Sequence, residues 1–149
     1  MNRKIVLSVL ALAALSLMGS TVYAKTYQVK ELNSGAAGTF VFEPDFLHIQ
    51  PGDSVEFVPT DPGHDVASYF VPSGAKEWKA EISKGITVNF DKDGVYLYEC
   101  TPHHMFCMLG VIVVSKATNK AAADKAAHEM EEKQIMNKGR LDKLMDEVK

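Results

Sequence analysis

The run Cys100-Thr101-Pro102-His103-His104-Met105-Phe106-Cys107-Met108 places a thiol, imidazoles and a thioether in one short loop. Such soft and borderline donors suit copper, whereas magnesium and calcium prefer oxygen. Two His and one Cys in a trigonal plane, with a weak axial Met, make an electron-transfer copper site. The loop supplies three of these four donors, with Cys100 and His103 three apart and His103 and Met108 five apart. His104 offers a competing spacing, and spacing alone leaves both open. A second His must come from elsewhere. His64 offers itself in Pro59-Thr60-Asp61-Pro62-Gly63-His64-Asp65, after a strand-like run and a turn signal.

A rigid scaffold must hold these residues together. The chain has 149 residues, enough for one domain with its own core. It opens with a basic start, an apolar run from Ile5 to Met18 and small residues near Val22-Tyr23-Ala24. This pattern predicts a signal peptide over residues 1–24, cleaved on export, and the apolar run is short for a membrane span. Its loss removes Arg3 and Lys4 from 16 basic residues and none of the 19 acidic ones, so the net charge moves from −3 to about −5. That balance disfavours nucleic acid as a partner. Export also admits a disulfide. A Cys100–Cys107 bridge would consume the best copper donor, so the preferred reading is a copper thiolate at Cys100 and a separate thiol at Cys107.

Short strands with regular turn signals run from Thr26 to Ser115: Thr26 to Glu31, Thr39 to Phe42, Phe46 to Ile49, Ser54 to Pro59, Ile86 to Phe90, Val95 to Cys100 and Gly110 to Ser115. Tyr69 to Glu81, with Pro72, Gly74 and Trp78, reads as irregular. The pattern predicts a mainly β antiparallel sandwich or barrel over residues 25–116. After Ser115 the composition turns to Ala, Lys, Glu and Met without Pro. Leu141, Leu144, Met145 and Val148 form an apolar stripe at helical spacing, and Asn137-Lys138-Gly139 reads as a break between two helices. Residues 117–149 are therefore expected as two helices docked on the same domain.

Phe57-Val58-Pro59-Thr60-Asp61-Pro62-Gly63-His64, Cys100-Thr101-Pro102-His103 and Met108-Leu109-Gly110-Val111 together resemble the pseudoazurin family. The resemblance covers essentially the whole chain after the leader. It implies a cupredoxin-like Greek-key sandwich with two C-terminal helices and one type 1 copper. It favours His103 over His104 and makes His64, Cys100, His103 and Met108 the four ligands. It implies a monomeric periplasmic carrier cycling Cu(I)/Cu(II), neither an enzyme nor membrane-integral. Its partners would be periplasmic redox proteins, an electron donor and an acceptor such as copper nitrite reductase. The rival reading is a periplasmic copper chaperone or storage protein, since His104, Met105 and Cys107 add soft donors nearby. The paired His-x-His motifs of a multicopper oxidase and the Cys-x3-Cys of a binuclear site do not occur.

Three positions depart from the family pattern. Asp65 stands where Asn is usual; it can accept a bond from Thr101, and its charge near copper should lower the reduction potential. Glu99 and Pro62 stand where Lys is frequent, which alters electrostatic docking. Cys107 and Phe106 crowd a loop that is usually small, so a second sulfur beside Met108 is expected to disturb the axial contact. Phe40 and Phe106 fit either an apolar apron around the electron exit or the core. The exit itself is expected at the exposed edge of His103.

Overall fold

The computed structural model describes residues 23–149. The leader expected over residues 1–24 therefore lies almost wholly outside the described residues. Eight strands come first: β1 (Thr26–Gly35), β2 (Gly38–Glu43), β3 (Phe46–Ile49), β4 (Ser54–Val58), β5 (Ala67–Phe70), β6 (Ile86–Asn89), β7 (Gly94–Glu99) and β8 (Leu109–Val114). A 3-10 turn over Thr101–Phe106 separates β7 from β8, and α1 (Lys120–Glu131) and α2 (Arg140–Asp146) close the chain. The strands form two four-stranded sheets, ordered β2-β1-β4-β6 and β3-β8-β7-β5.

The expectation of a mainly β cupredoxin sandwich with two C-terminal helices holds. One detail is corrected: the sheets are mixed, not purely antiparallel. β1 runs parallel to β4, and β3 parallel to β8. Each sheet thus joins strands from distant parts of the chain, which local turn signals cannot reveal. β5 was not expected: it begins before the stretch read as irregular and overlaps it only at Tyr69 and Phe70. It is a short, partly buried edge strand with a register shift between Ser68 and Phe70, too interrupted to alternate cleanly.

Two cores explain the sequence pattern of β7 and β8. Tyr96, Tyr98, Ile112 and Val114 point between the sheets, where they meet Val55, Phe57 and Phe42. Val95, Leu97, Val111 and Val113 belong to a second core closed by Ala127, Met130, Leu141 and Met145 of the helices. All six residues of β8 are buried, so its run is apolar throughout rather than alternating. Without the helices, one face of this sheet would lie in water. Asn119 fastens the start of α1 to β7: its side chain accepts from the Val95 N–H at 2.7 Å and donates to the Val95 carbonyl at 3.1 Å. Gly110 is required by contact, since a Cβ there would lie 2.2 Å from the Tyr98 ring.

Candidate metal centre

The inward parity of β7 continues past its end. Tyr96, Tyr98 and Cys100 all join the inter-sheet core, and Cys100 is fully buried. The chain then enters the 3-10 turn with Pro102 in its first positions. Pro102 fixes its own φ and restricts Thr101. The His103 N–H donates to the Cys100 carbonyl at 3.1 Å, and the Cys100 N–H to the Met108 carbonyl at 3.0 Å. These bonds close the loop on itself. His64 arrives from the β4–β5 connection after Gly63, whose φ of 92° favours glycine. Ser83 pins that connection: its hydroxyl accepts from the Gly63 N–H at 2.9 Å, and its own N–H donates to the His64 carbonyl at 2.7 Å.

Three donor atoms converge. His64 Nδ1 lies 3.1 Å from His103 Nδ1, and Cys100 Sγ lies 3.6 and 3.4 Å from them respectively. A point equidistant from all three sits about 2 Å from each, close to ordinary metal–imidazole distances. Asn33 settles the tautomer of His64. Its Oδ1 accepts from His64 Nε2 at 3.0 Å, which leaves Nδ1 bare and aimed at the other two donors. Burial, then the His103 charge, lowers the pKa of His64, and burial lowers that of His103. Both shifts favour the neutral, ligating form of the rings. Burial pushes the Cys100 thiol up to about 11, so a metal must displace its proton. Met108, fully buried, belongs to the same inter-sheet core as Cys100. His103 alone of the four keeps partial contact with solvent. The donor set, neutral imidazoles around a thiol with a thioether beside them, fits copper.

The surrounding residues resolve several expectations. His104 does not join the donors; its Nδ1 bonds the Thr101 carbonyl at 2.8 Å. Cys107 is a free thiol, as is Cys100, so the two form no disulfide. The expected disturbance of Met108 by the Cys107 sulfur finds no counterpart, because Cys107 faces the helical core and Met108 the inter-sheet core. Asp65 is buried and accepts from the Thr101 N–H at 2.6 Å and also from its hydroxyl. Glu99 is half-buried rather than fully displayed, and Pro62 is exposed. Phe40 takes the apron role in part: its ring stacks on His103, with centroids 4.4 Å apart and planes 13° apart, and on Phe106 at 5.3 Å. Both Phe rings are half-buried. His48 on β3 and His128 on α1 are exposed and join no donor cluster among the described residues.

Two residues escaped sequence reading. Asn33 orients His64 across 31 residues of chain, and nothing in its neighbourhood marks it. Glu31 is fully buried, and neither carboxylate oxygen has a protein partner. Its place was readable from strand alternation, because it shares the parity of Val29, but its charge conflicts with that place.

The match to known proteins agrees with this centre. The description "copper binding proteins, plastocyanin/azurin family" matches residues 29–115. The chain is 39% identical over 123 residues to the pseudoazurin of Methylorubrum extorquens, covering 80% of each protein. It is 37% identical over 119 residues to that of Paracoccus pantotrophus, covering 78% of this chain and 82% of the relative. The crystal structure of pseudoazurin from Hyphomicrobium denitrificans superposes with a TM-score of 0.70 at 31% identity, over 83% of this chain and 98% of that one. The fold and site therefore define a cupredoxin with a single type 1 copper as its cofactor. Within that class the chain belongs to the pseudoazurin family.

Proposed function

We propose that this protein is a periplasmic, monomeric one-electron carrier whose copper is held by His64 Nδ1, Cys100 Sγ, His103 Nδ1 and the Met108 thioether. The observation that carries this reading is the convergence of two imidazole nitrogens and one thiol sulfur within 3.6 Å of one another, with the His64 tautomer set by Asn33. Bound copper supplies a centre that alternates between Cu(I) and Cu(II), so one electron enters and one leaves per cycle. The chain's own part is to keep the donor geometry constant. Buried Cys100 and His64 are walled by packed residues, and the loop is closed by its own backbone bonds, so neither redox state requires rearrangement. His103 is the donor nearest solvent, which makes it the electron exit.

Export to the periplasm is supported by the leader pattern of residues 1–24 and by the family relationship. No described helix is long and apolar enough to cross a membrane. The acceptor is a periplasmic reductase, for which a copper nitrite reductase is our first candidate. The chain is not itself an enzyme on this reading. The additional soft residues give the chaperone alternative little support, because His104 is bonded to Thr101 and Cys107 is turned into the helical core.

The test is a visible absorption spectrum at one equivalent of Cu(II), repeated on Cys100→Ser. An intense thiolate-to-copper band is expected. Ascorbate should bleach it, ferricyanide should restore it, and the substitution should abolish it. A weak spectrum with tight, exchangeable Cu(I) binding would refute the carrier and favour copper handling.

A further inference from the structure

The segment between His103 and Met108 is held from the C-terminal part of the chain. The Met105 carbonyl accepts from the Ile135 N–H at 2.8 Å, and the Phe106 carbonyl from Asn137 Nδ2 at 2.8 Å. The Cys107 N–H donates to Gln134 Oε1 at 2.8 Å, and the Cys107 carbonyl accepts from Arg140 Nη1 at 2.9 Å. Every residue from Met105 to Cys107 is thereby tied to residues 134–140.

Arg140 does more than hold one end. Its Nη1 also donates to the Phe40 carbonyl at 2.9 Å, and its Nη2 to the Ala37 carbonyl at 3.1 Å and the Thr39 carbonyl at 3.2 Å. No described carboxylate forms an ion pair with it, so backbone carbonyls take the guanidinium's donors. The two carbonyls at 2.9 Å belong to Phe40 and Cys107, and both residues are left-handed without being glycine, at φ 51° and 60°. That conformation is unfavourable for L side chains and persists only where the surroundings enforce it. In each case the conformation serves the centre. Phe40 lays its ring on His103. Cys107 turns the chain so that its own side chain faces the helices and Met108 faces the inter-sheet core.

We infer that Arg140, assisted by Gln134 and Asn137, is a positioning clamp for the metal centre: one guanidinium enforces the two left-handed residues that set the His103 ring and the approach of Met108. The C-terminal helices are then part of the centre's support as well as a cover for the sheet. A planar fork with several donors can bridge separate carbonyls, which a lysine ammonium does poorly. This inference rests on the copper-carrier reading.

The test uses the copper-loaded protein with Arg140→Ala, Arg140→Lys and, as a control on the same helix, Lys143→Ala. Three properties are read: the intensity ratio of the thiolate-to-copper bands, the reduction potential, and the rate of copper loss to a chelator. Arg140→Ala is expected to change the ratio, shift the potential and release copper about tenfold faster, in line with the loss of other supporting residues around metal sites. Arg140→Lys should do so in part, and Lys143→Ala not at all. Adding Cys107→Gly to Arg140→Ala should move the band ratio back toward wild type, because glycine adopts positive φ without strain. Wild-type bands, potential and release in the Arg140 variants, with only a lower melting temperature, would overturn the clamp. Failure of the Cys107→Gly addition to move the ratio would overturn its strain basis. Should Arg140→Ala not fold, Arg140→Lys decides by the same readings. A wild-type protein without a thiolate band would remove the carrier reading itself, whereas unchanged variants beside a normal wild type remove only the clamp.

Discussion

Asp65 spends both carboxylate oxygens on Thr101 and so ties the His64 connection to the Cys100 loop. An asparagine could keep both bonds, accepting from the Thr101 N–H and donating to its hydroxyl. What it would remove is a buried negative charge, which favours Cu(II). Asp65→Asn should therefore raise the reduction potential; spectroelectrochemistry checks this, and an unchanged potential would refute it. Glu31 poses the opposite problem. Burial first, then the charge of Asp65, raises its pKa from 4.5 to about 7. The folded state thus binds more protons than the unfolded state between those values, and stability falls as pH rises through that window. Glu31→Gln should stabilise the metal-free protein by on the order of 3 kcal/mol at about pH 8 and give no such gain near pH 4. Urea midpoints at the two pH values measure this, and an equal gain at both would contradict it. Three of the four proposed ligands were legible because Cys, His and Met in one short loop are chemically distinctive, while His64 and the choice of His103 over His104 leaned on the family resemblance. Asn33 and Arg140 were not, since their roles rest on bonds to residues 31 and 100 positions away.

Among the elements, β3 was read at its observed bounds and β4 within a residue, because Pro51-Gly52 and Pro59 punctuate them. The helical break was also legible, with Asn137 and Gly139 both at positive φ just before α2. β5 was missed because an edge strand of four residues with a bulge carries no clean alternation. The parallel pairings of β1 with β4 and of β3 with β8 were missed because pairing is a long-range property, and hairpin signals report only antiparallel neighbours. The fate of Cys107 was an element-scale matter too. Its left-handed backbone reverses which core it enters, and no sequence pattern demanded that of a cysteine.

For the whole molecule, three exposed apolar residues lie together beside the His103 loop, the proposed electron exit. Met105, Ile135 and Met136 are exposed, and the Met105 carbonyl joins them by accepting from the Ile135 and Met136 N–H groups. This patch continues from the metal loop onto the α1–α2 connection. Glu99 is half-buried, Pro62 is uncharged, and the exposed Lys133 and Lys138 lie at the edge of the patch, so its centre is apolar and charge is confined to the rim. Electron transfer to a partner should accordingly show weak salt dependence, with a rate constant changing less than about threefold between low and high ionic strength. Stopped-flow oxidation of the reduced protein measures it, and a steep fall with salt would contradict an apolar docking face. The sequence by itself determined the metal, the donor types and the sandwich-plus-helices architecture, because ligand chemistry and hydrophobic periodicity are local properties. Only the tertiary structure decided that Asn33 sets the His64 tautomer, that Cys107 leaves the site, and that the C-terminal segment grips the metal loop. Those outcomes depend on which distant backbone groups need hydrogen-bond partners once the chain has closed.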